Sequence, residues 1–325
     1  MKVLLHYELS AKILSNAFKE KLGNKNIEFF NLKDNIKDFD MDKYDLIVFQ
    51  AESFFDKNLT KILNYNTSAT KIYCDLDDDF FIKRIYNNDN INLYFKRELY
   101  KNISLSYKLE WSLRYTYGRY IITPTYRNYN IYGYINTLSF PLCFGTIGKS
   151  KKLKSINLFS KIPNRIDANR EIDLSFMMNF TDISARKNVY NFLTNLQINE
   201  KYKNHNLFIP HYYMKKEQYL NKLSDSKASI SIRGMGWDTF RYWEIPSYGA
   251  MLISQRLPII IRNNFVDGES ALFFSTNKEL YKKIKTTIIN SDEWREISRK
   301  GRQNILKYHT PKKRAEYILN CVKEI

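Results

Sequence analysis

The stretch SISIRGMGWDTFRYWEIPSYGAMLISQ, Ser229–Gln255, decides the reading of the fold. A short apolar run, Ile230–Ile232, leads into a turn through Arg233, Gly234, Met235 and Gly236. Asp238 or Thr239 suits the N-cap of a helix that carries Arg241 and Glu244 one turn apart, because a short polar side chain can accept a first-turn N–H. Gly249 ends that helix, and a second apolar run, Ala250–Ser254, follows. Strand, glycine turn, helix, glycine, strand is the layout of a βαβ unit. A turn of this kind, feeding a helix N-terminus, presents outward amides and the positive end of the helix dipole to a phosphate. Arg233 and Arg241 add positive charge, and Glu244 adds a carboxylate at a reach suited to a ribose diol.

The chain around this stretch has 325 residues and is 44% hydrophobic, which is enough for two domains with real cores and excludes disorder as a whole. With only 10 glycines and 7 prolines, each glycine cluster is informative. The formal net charge of +18 suits an anionic partner: nucleotide, nucleic acid, phospholipid headgroup or acidic glycan. A lysine-rich solubilising surface explains it as well, since the lysines are scattered. Cys74, Cys143 and Cys321 are far apart and form no C-x-x-C pair, so neither a disulfide framework nor a zinc site is implied. A reducing, cytoplasmic compartment, including the inner face of the membrane, is the expectation. The opening MKVLLHYELSAKIL is broken by His6 and Glu8 and reads as a strand and helix rather than a signal peptide. No run is long enough to span a membrane.

Lys2–Tyr7, Ile27–Leu32, Tyr44–Gln50, Lys71–Cys74 and Ile91–Glu98 read as strands, with a helix over Leu9–Leu22. Gly118–Pro124 and Leu138–Leu142 continue the pattern. Alternating strands and helices predict a doubly wound α/β domain whose functional loops lie beyond the strands' carboxyl ends. One such loop holds Asp75, Asp77, Asp78 and Asp79. Clustered carboxylates serve as a general base, as a divalent metal site or as a solvated capping loop, and the sequence leaves all three open. After a region of fading regularity from Gly145 to about Arg170, a second α/β domain begins. It has strands at Asp173–Met178, Asn206–Pro210 and Leu257–Ile261. Its helices start at Arg186 and Lys187, run over Glu217–Leu223, Asn277–Ile289 and Glu293–His309, and end with Pro311–Val322. Tyr219 falls on the apolar side of its helix. The resulting division is 1–150, a linker at 151–170, 171–308, and a terminal segment at 309–325.

The run Gly234, Gly236, Asp238, Arg241, Glu244 and Gly249–Ala250 is joined by FVDGESALFF (Phe265–Phe274) and by SRKGRQNILKYHTPKKRAEYIL toward the end, with Gly301, His309, Thr310, Arg314 and Ala315. Together they resemble the C-terminal half of GT-B glycosyltransferases, in particular the CgeB-like, spore-protein-type members of glycosyltransferase group 1. The likeness covers about Ile172 to Leu319. It implies two Rossmann-like domains facing across a cleft, the first binding an acceptor, the second a nucleotide-diphospho-sugar, with the last helix crossing back to the first. It implies that Glu244 holds the ribose and that Gly234, Gly236, Asp238, Thr239 and Asp267 face the diphosphate or sugar. Arg186, Arg233 and Arg241 would neutralise the leaving group, and His211 and Tyr212 would lie at the base. No cofactor or bound metal is implied; the donor is a substrate. The acceptor would be a hydroxyl of a glycan, glycolipid, protein or nucleic acid. Where many retaining members carry Glu-x7-Glu, Gly236 stands eight residues before Glu244, so the motif does not support retention. For inversion, Asp77, Asp78 and His6 are the candidate bases. The charge supports two other expectations: a non-catalytic scaffold that binds nucleic acid or another anionic polymer, and a transferase with an anionic acceptor or a peripheral attachment to membrane or polymer through its basic surface.

Overall fold

Continuous apolar runs such as VLLH and LIVF bury both faces of a strand, the signature of parallel sheets covered on each side. The computed structural model describes residues 1–6, 12–30, 39–51, 61, 64–75, 91–96, 101, 130–133, 166–178, 184–199, 204–212, 214–234, 237–289 and 292–325. They form two compact units. The first comprises Met1–Leu138, Pro258–Arg262 and Pro311–Ile325; the second comprises Ser139–Leu257 and Asn263–Thr310.

In the first unit, β1 (Val3–His6), α1 (Lys12–Leu22), β2 (Ile27–Phe30), β3 (Leu46–Ala51), β4 (Thr70–Asp75), β5 (Leu93–Lys96) and β6 (Asn130–Gly133) follow in order. The strands make one parallel sheet, β2-β1-β3-β4-β5-β6. Its order reverses between β1 and β3, so the crevice beyond their carboxyl ends is the switch point of this sheet. Val3, Leu5, Phe18, Val48, Ile72 and Phe95 lie in a core that is closed by Ala315, Ile318 and Leu319 of the last helix, Pro311–Lys323. Lys21 of α1 pairs with Glu316 of that helix at 2.9 Å.

The second unit runs β7 (Ile172–Ser175), α2 (Ser184–Gln197), β8 (Leu207–Phe208), α3 (Lys216–Ser224), β9 (Ser226–Ser231), α4 (Phe240–Ser247), β10 (Met251–Gln255) and β11 (Leu272–Phe274). Two helices follow, α5 (Asn277–Ile284) and α6 (Glu293–Asn304), each ending in a π-helical turn, Lys285–Ile289 and Ile305–His309. The sheet is again parallel, in the order β11-β10-β9-β7-β8, and its switch point lies between β7 and β9. Leu174, Ile230, Ile253, Leu193, Leu280 and Trp294 are central to the core.

One expected strand is corrected. Leu257–Ile261 forms no strand of the sheet: Pro258 brings no amide donor, its carbonyl accepts from Lys101 N–H at 2.8 Å, and Pro258–Arg262 belong to the first unit. Ile166 and Arg170, in the stretch expected to be a linker, are buried in the second unit. The Arg170 guanidinium donates to the carbonyls of Ser226 (2.5 Å) and Tyr248 (3.3 Å). The strands expected at Gly118–Pro124 and Leu138–Leu142 lie outside the described residues.

Candidate functional site at the switch point of the second sheet

The organising helix α4 is anchored by its aromatic face. Tyr242 and Trp243 are fully buried, and Trp243 packs on Phe265 (5.9 Å) and His309 (4.8 Å). The Tyr242 hydroxyl donates to Asn264 Oδ1 at 2.5 Å, and the Trp243 indole donates to Asp238 Oδ2 at 3.2 Å. His309 is itself buried, with Nε2 2.9 Å from the carbonyl of Asn263. At the other end, Gly249 at φ 72° closes the helix: its N–H donates to the Pro246 carbonyl and that of Ala250 to the Ile245 carbonyl, the pair of bonds of a Schellman motif. Thr239 occupies the N-cap, but its hydroxyl lies 3.0 Å from the Ser231 hydroxyl and makes no cap bond. Asp238, the other residue suited to capping, is turned to Trp243.

Two arginines cross at the switch point. Arg186, in the first turn of α2, the helix after β7, donates from Nε to the carbonyl of Arg233 just past β9, at 3.0 Å. Arg241, on α4 after β9, donates from Nε to the carbonyl of Met177 just past β7, at 2.5 Å. Each helix therefore clasps the end of the other's strand. Arg186 is only 7% exposed. Burial, reinforced by the like charge of Arg241, lowers its pKa from 12.5 to about 10. Gly234 makes this placement feasible: a Cβ there would lie 2.8 Å from Arg186 Nη2.

Glu244, one turn after Arg241, is 6% exposed and accepts the Tyr219 hydroxyl of α3 on Oε2 at 2.7 Å. The Arg241 guanidinium stands over the Tyr219 ring, 5.4 Å from its centroid. Burial first, then the Glu244 charge, push the Tyr219 hydroxyl well above its ordinary pKa against the opposing pull of Arg241. The same two causes raise Tyr248 to about 12.

The structure thus gathers Arg186, Gly234, Arg241 and Glu244, with Arg233 supplying a carbonyl and stacking on Trp237 at 4.8 Å. His211 and Tyr212 follow β8 beside β7, exposed and edge to face at 5.7 Å. Asp267 is committed elsewhere. Its Oδ1 accepts Lys283 (2.6 Å) and the Phe273 N–H (2.8 Å), its Oδ2 accepts Arg256 (2.8 Å), and Arg256 also reaches Glu279 at 3.2 Å. In the first unit, His6 ends β1 at that sheet's switch point, 5% exposed and 5.2 Å from the Phe30 ring. Asp77, Asp78 and Gly236 lie outside the described residues. Among the described residues, no three His, Cys, Asp or Glu side chains gather as metal ligands, and no helix is long and apolar enough to cross a membrane. Tyr219 and the Met177 carbonyl are the participants that sequence reasoning missed.

Residues 196–320 match the family model described as glycosyl transferase-like. No curated protein matches the chain by sequence. Among solved structures, the chain is similar to Anabaena Alr3699/HepE crystallised with UDP, at 10% identity, with both chains covered in full and a TM-score of 0.53. It is also similar to a glycosyltransferase from Rickettsia africae, at 10% identity over 99% of this chain and 98% of that one, with a TM-score of 0.53. At such identities the likeness is one of fold, and the fold is α/β with two Rossmann-like parallel sheets, the class of the GT-B glycosyltransferases.

Proposed function

We propose that this chain transfers a sugar from a nucleotide-diphospho-sugar to a hydroxyl acceptor, and that it holds the nucleoside diphosphate at the carboxyl ends of β7 and β9. The observation that carries this reading is the convergence of Arg186, Arg241 and Glu244 at the switch point of the second sheet, where ligands of open α/β sheets bind. The glycosyl transferase-like match over residues 196–320 spans Arg241 and Glu244 and supports the same class, and HepE, similar in fold, was crystallised with UDP.

The chemistry follows from the charges. As the bond between the anomeric carbon and the phosphate oxygen breaks, negative charge builds on the leaving diphosphate. Arg186 and Arg241 are held by backbone carbonyls before any ligand arrives, so they stabilise that charge without reorganising. In this reading the two guanidinium groups do the work that a metal ion does elsewhere, and the enzyme is metal-independent. Glu244 accepts from the ribose hydroxyls. If transfer inverts the anomeric centre, the acceptor hydroxyl gives its proton to a base, for which His6, Asp77 and Asp78 are the candidates. The run from Gly234 to Ala250 supports kinship with the CgeB-like group.

The test is a thermal-shift screen with nucleoside diphosphates and their sugar conjugates, followed by calorimetry on Glu244→Ala. A midpoint that rises with one diphosphate, and at least a roughly tenfold weaker affinity in the folded variant, is expected. Unchanged affinity in the variant removes Glu244 from the site. The net charge of +18 supports a second reading, a scaffold that binds an anionic polymer. Steeply salt-dependent DNA binding, with no response to any nucleotide, would favour it.

A further inference from the structure

We propose that Tyr219 is the positioning residue that fixes Glu244 as an acceptor for the ribose diol and thereby makes the site selective for ribonucleotides over 2′-deoxyribonucleotides; this rests on the reading of Glu244 given above. The Tyr219 hydroxyl donates to Glu244 Oε2 at 2.7 Å across 25 residues of sequence. A glutamate has three side-chain torsions, and one short bond from a half-buried donor selects a single rotamer among them. A carboxylate oxygen accepts hydrogen bonds, and two ribose hydroxyls need an acceptor.

Tyr219 is fixed in turn. It lies on α3, which packs against β7 and β9, and its ring sits beneath the Arg241 guanidinium at 5.4 Å. Arg241 is tied to the Met177 carbonyl at the end of β7, so the chain of support runs from strand end to guanidinium to ring to carboxylate. Because the phenol's pKa is pushed well above its ordinary value, it stays a donor throughout the range in which an enzyme works. A site built to hydrogen-bond a substrate hydroxyl discriminates strongly against an analogue that lacks it, because its polar groups are then left unmatched.

The experiment takes the nucleoside diphosphate, among UDP, ADP, GDP and CDP, that binds most tightly, and compares it by calorimetry with its 2′-deoxy form. The wild-type protein, Tyr219→Phe and Glu244→Gln are measured, with thermal unfolding to confirm that each is folded. The phenylalanine keeps the ring beneath Arg241 and removes only the hydroxyl. The expected wild-type preference for the ribonucleotide is about tenfold or more. In Tyr219→Phe, ribonucleotide affinity should fall about tenfold while deoxyribonucleotide affinity hardly changes, so that the preference collapses. A purely structural role would weaken both ligands alike and leave the ratio intact. If Glu244→Gln abolishes the preference and Tyr219→Phe retains it, the positioning role is overturned and the site reading stands. If Glu244→Gln retains it, the site reading fails and the proposal with it. A wild-type preference near one overturns the proposal without any variant, and binding of none of the four diphosphates overturns both.

Discussion

Arg186→Met separates the cost of the site from its use. The methionine keeps most of the packing of the arginine stem and removes the charge. Arg186 is 7% exposed and its pKa is displaced from 12.5 to about 10 by burial and by Arg241. At 1.36 kcal/mol per unit this weighs on the charged form by about 3 kcal/mol, which residual contact with solvent reduces to about 1–3 kcal/mol. Against that relief stands the lost charge-assisted bond to the Arg233 carbonyl, worth about 1.5–3 kcal/mol. Without ligand the variant should therefore lie within about 2 kcal/mol of the wild type, the two contributions largely offsetting each other. With ligand the two separate: at a diphosphate concentration of about 100 Kd the wild type gains about 2.7 kcal/mol, and the variant should gain little of it. Urea unfolding with and without UDP measures both terms. A variant destabilised by more than about 2 kcal/mol, or one that UDP stabilises as much as wild type, would refute the reasoning.

Three further substitutions test the frame around the site. Gly249→Ala forces a side chain into φ 72° and sets its Cβ 2.8 Å from Ile166 Cγ1, so urea unfolding should show a loss of about 2–4 kcal/mol. Gly301→Ala should cost about 1–2 kcal/mol by the same assay, although alanine is the better helix former, because its Cβ would meet the Ser270 carbonyl oxygen at 2.6 Å and backbone cannot easily yield. Asp267→Asn removes the ion pairs to Lys283 and Arg256 and should cost about 1–2 kcal/mol near neutral pH. Burial opposes the ionised form of Asp267, but the bonds from Lys283, the Phe273 amide and Arg256 outweigh it and hold the pKa below 3.8. Its contribution is thus present above the unfolded-state value and is lost as pH falls through the folded one, so the difference between wild type and variant should shrink below about pH 4 in stability profiles.

How far the sequence could be read depended on how local each determinant is. A buried parallel strand is a continuous apolar run, so LIVFQA (β3) and MLISQ (β10) were legible. Gly249 was legible because a helix stop needs only its own φ. By contrast, NIYG (β6) is a short strand with no period to detect, and LPII mimics a strand until Pro258 and the crossing into the first unit are known. Thr239 looked like a cap because the alternative partner, Ser231, is set by how β9 meets α4. Tyr219 read as one more apolar position on its helix. Its hydroxyl gains meaning only when α3 is laid beside α4, and a backbone carbonyl such as that of Met177 has no signature in sequence at all.

The crossed arginines explain why the proposed site sits at this point of the sheet rather than elsewhere along its edge. At the switch point, α2 and α4 leave their strands on opposite faces, so each can reach the end of the other's strand. The two carbonyl bonds hold two like charges together in a region where Arg186 is nearly buried. A fold selected for stability alone has no use for that pairing, because an apolar side chain in place of a buried charge is often neutral or stabilising. An anion bound between the two guanidinium groups reverses the balance: it offsets their repulsion and takes up donors already fixed in position. On the proposed function, the electrostatic cost of the ligand-free protein and the affinity for a diphosphate have one cause, and any variant that relieves the first should weaken the second.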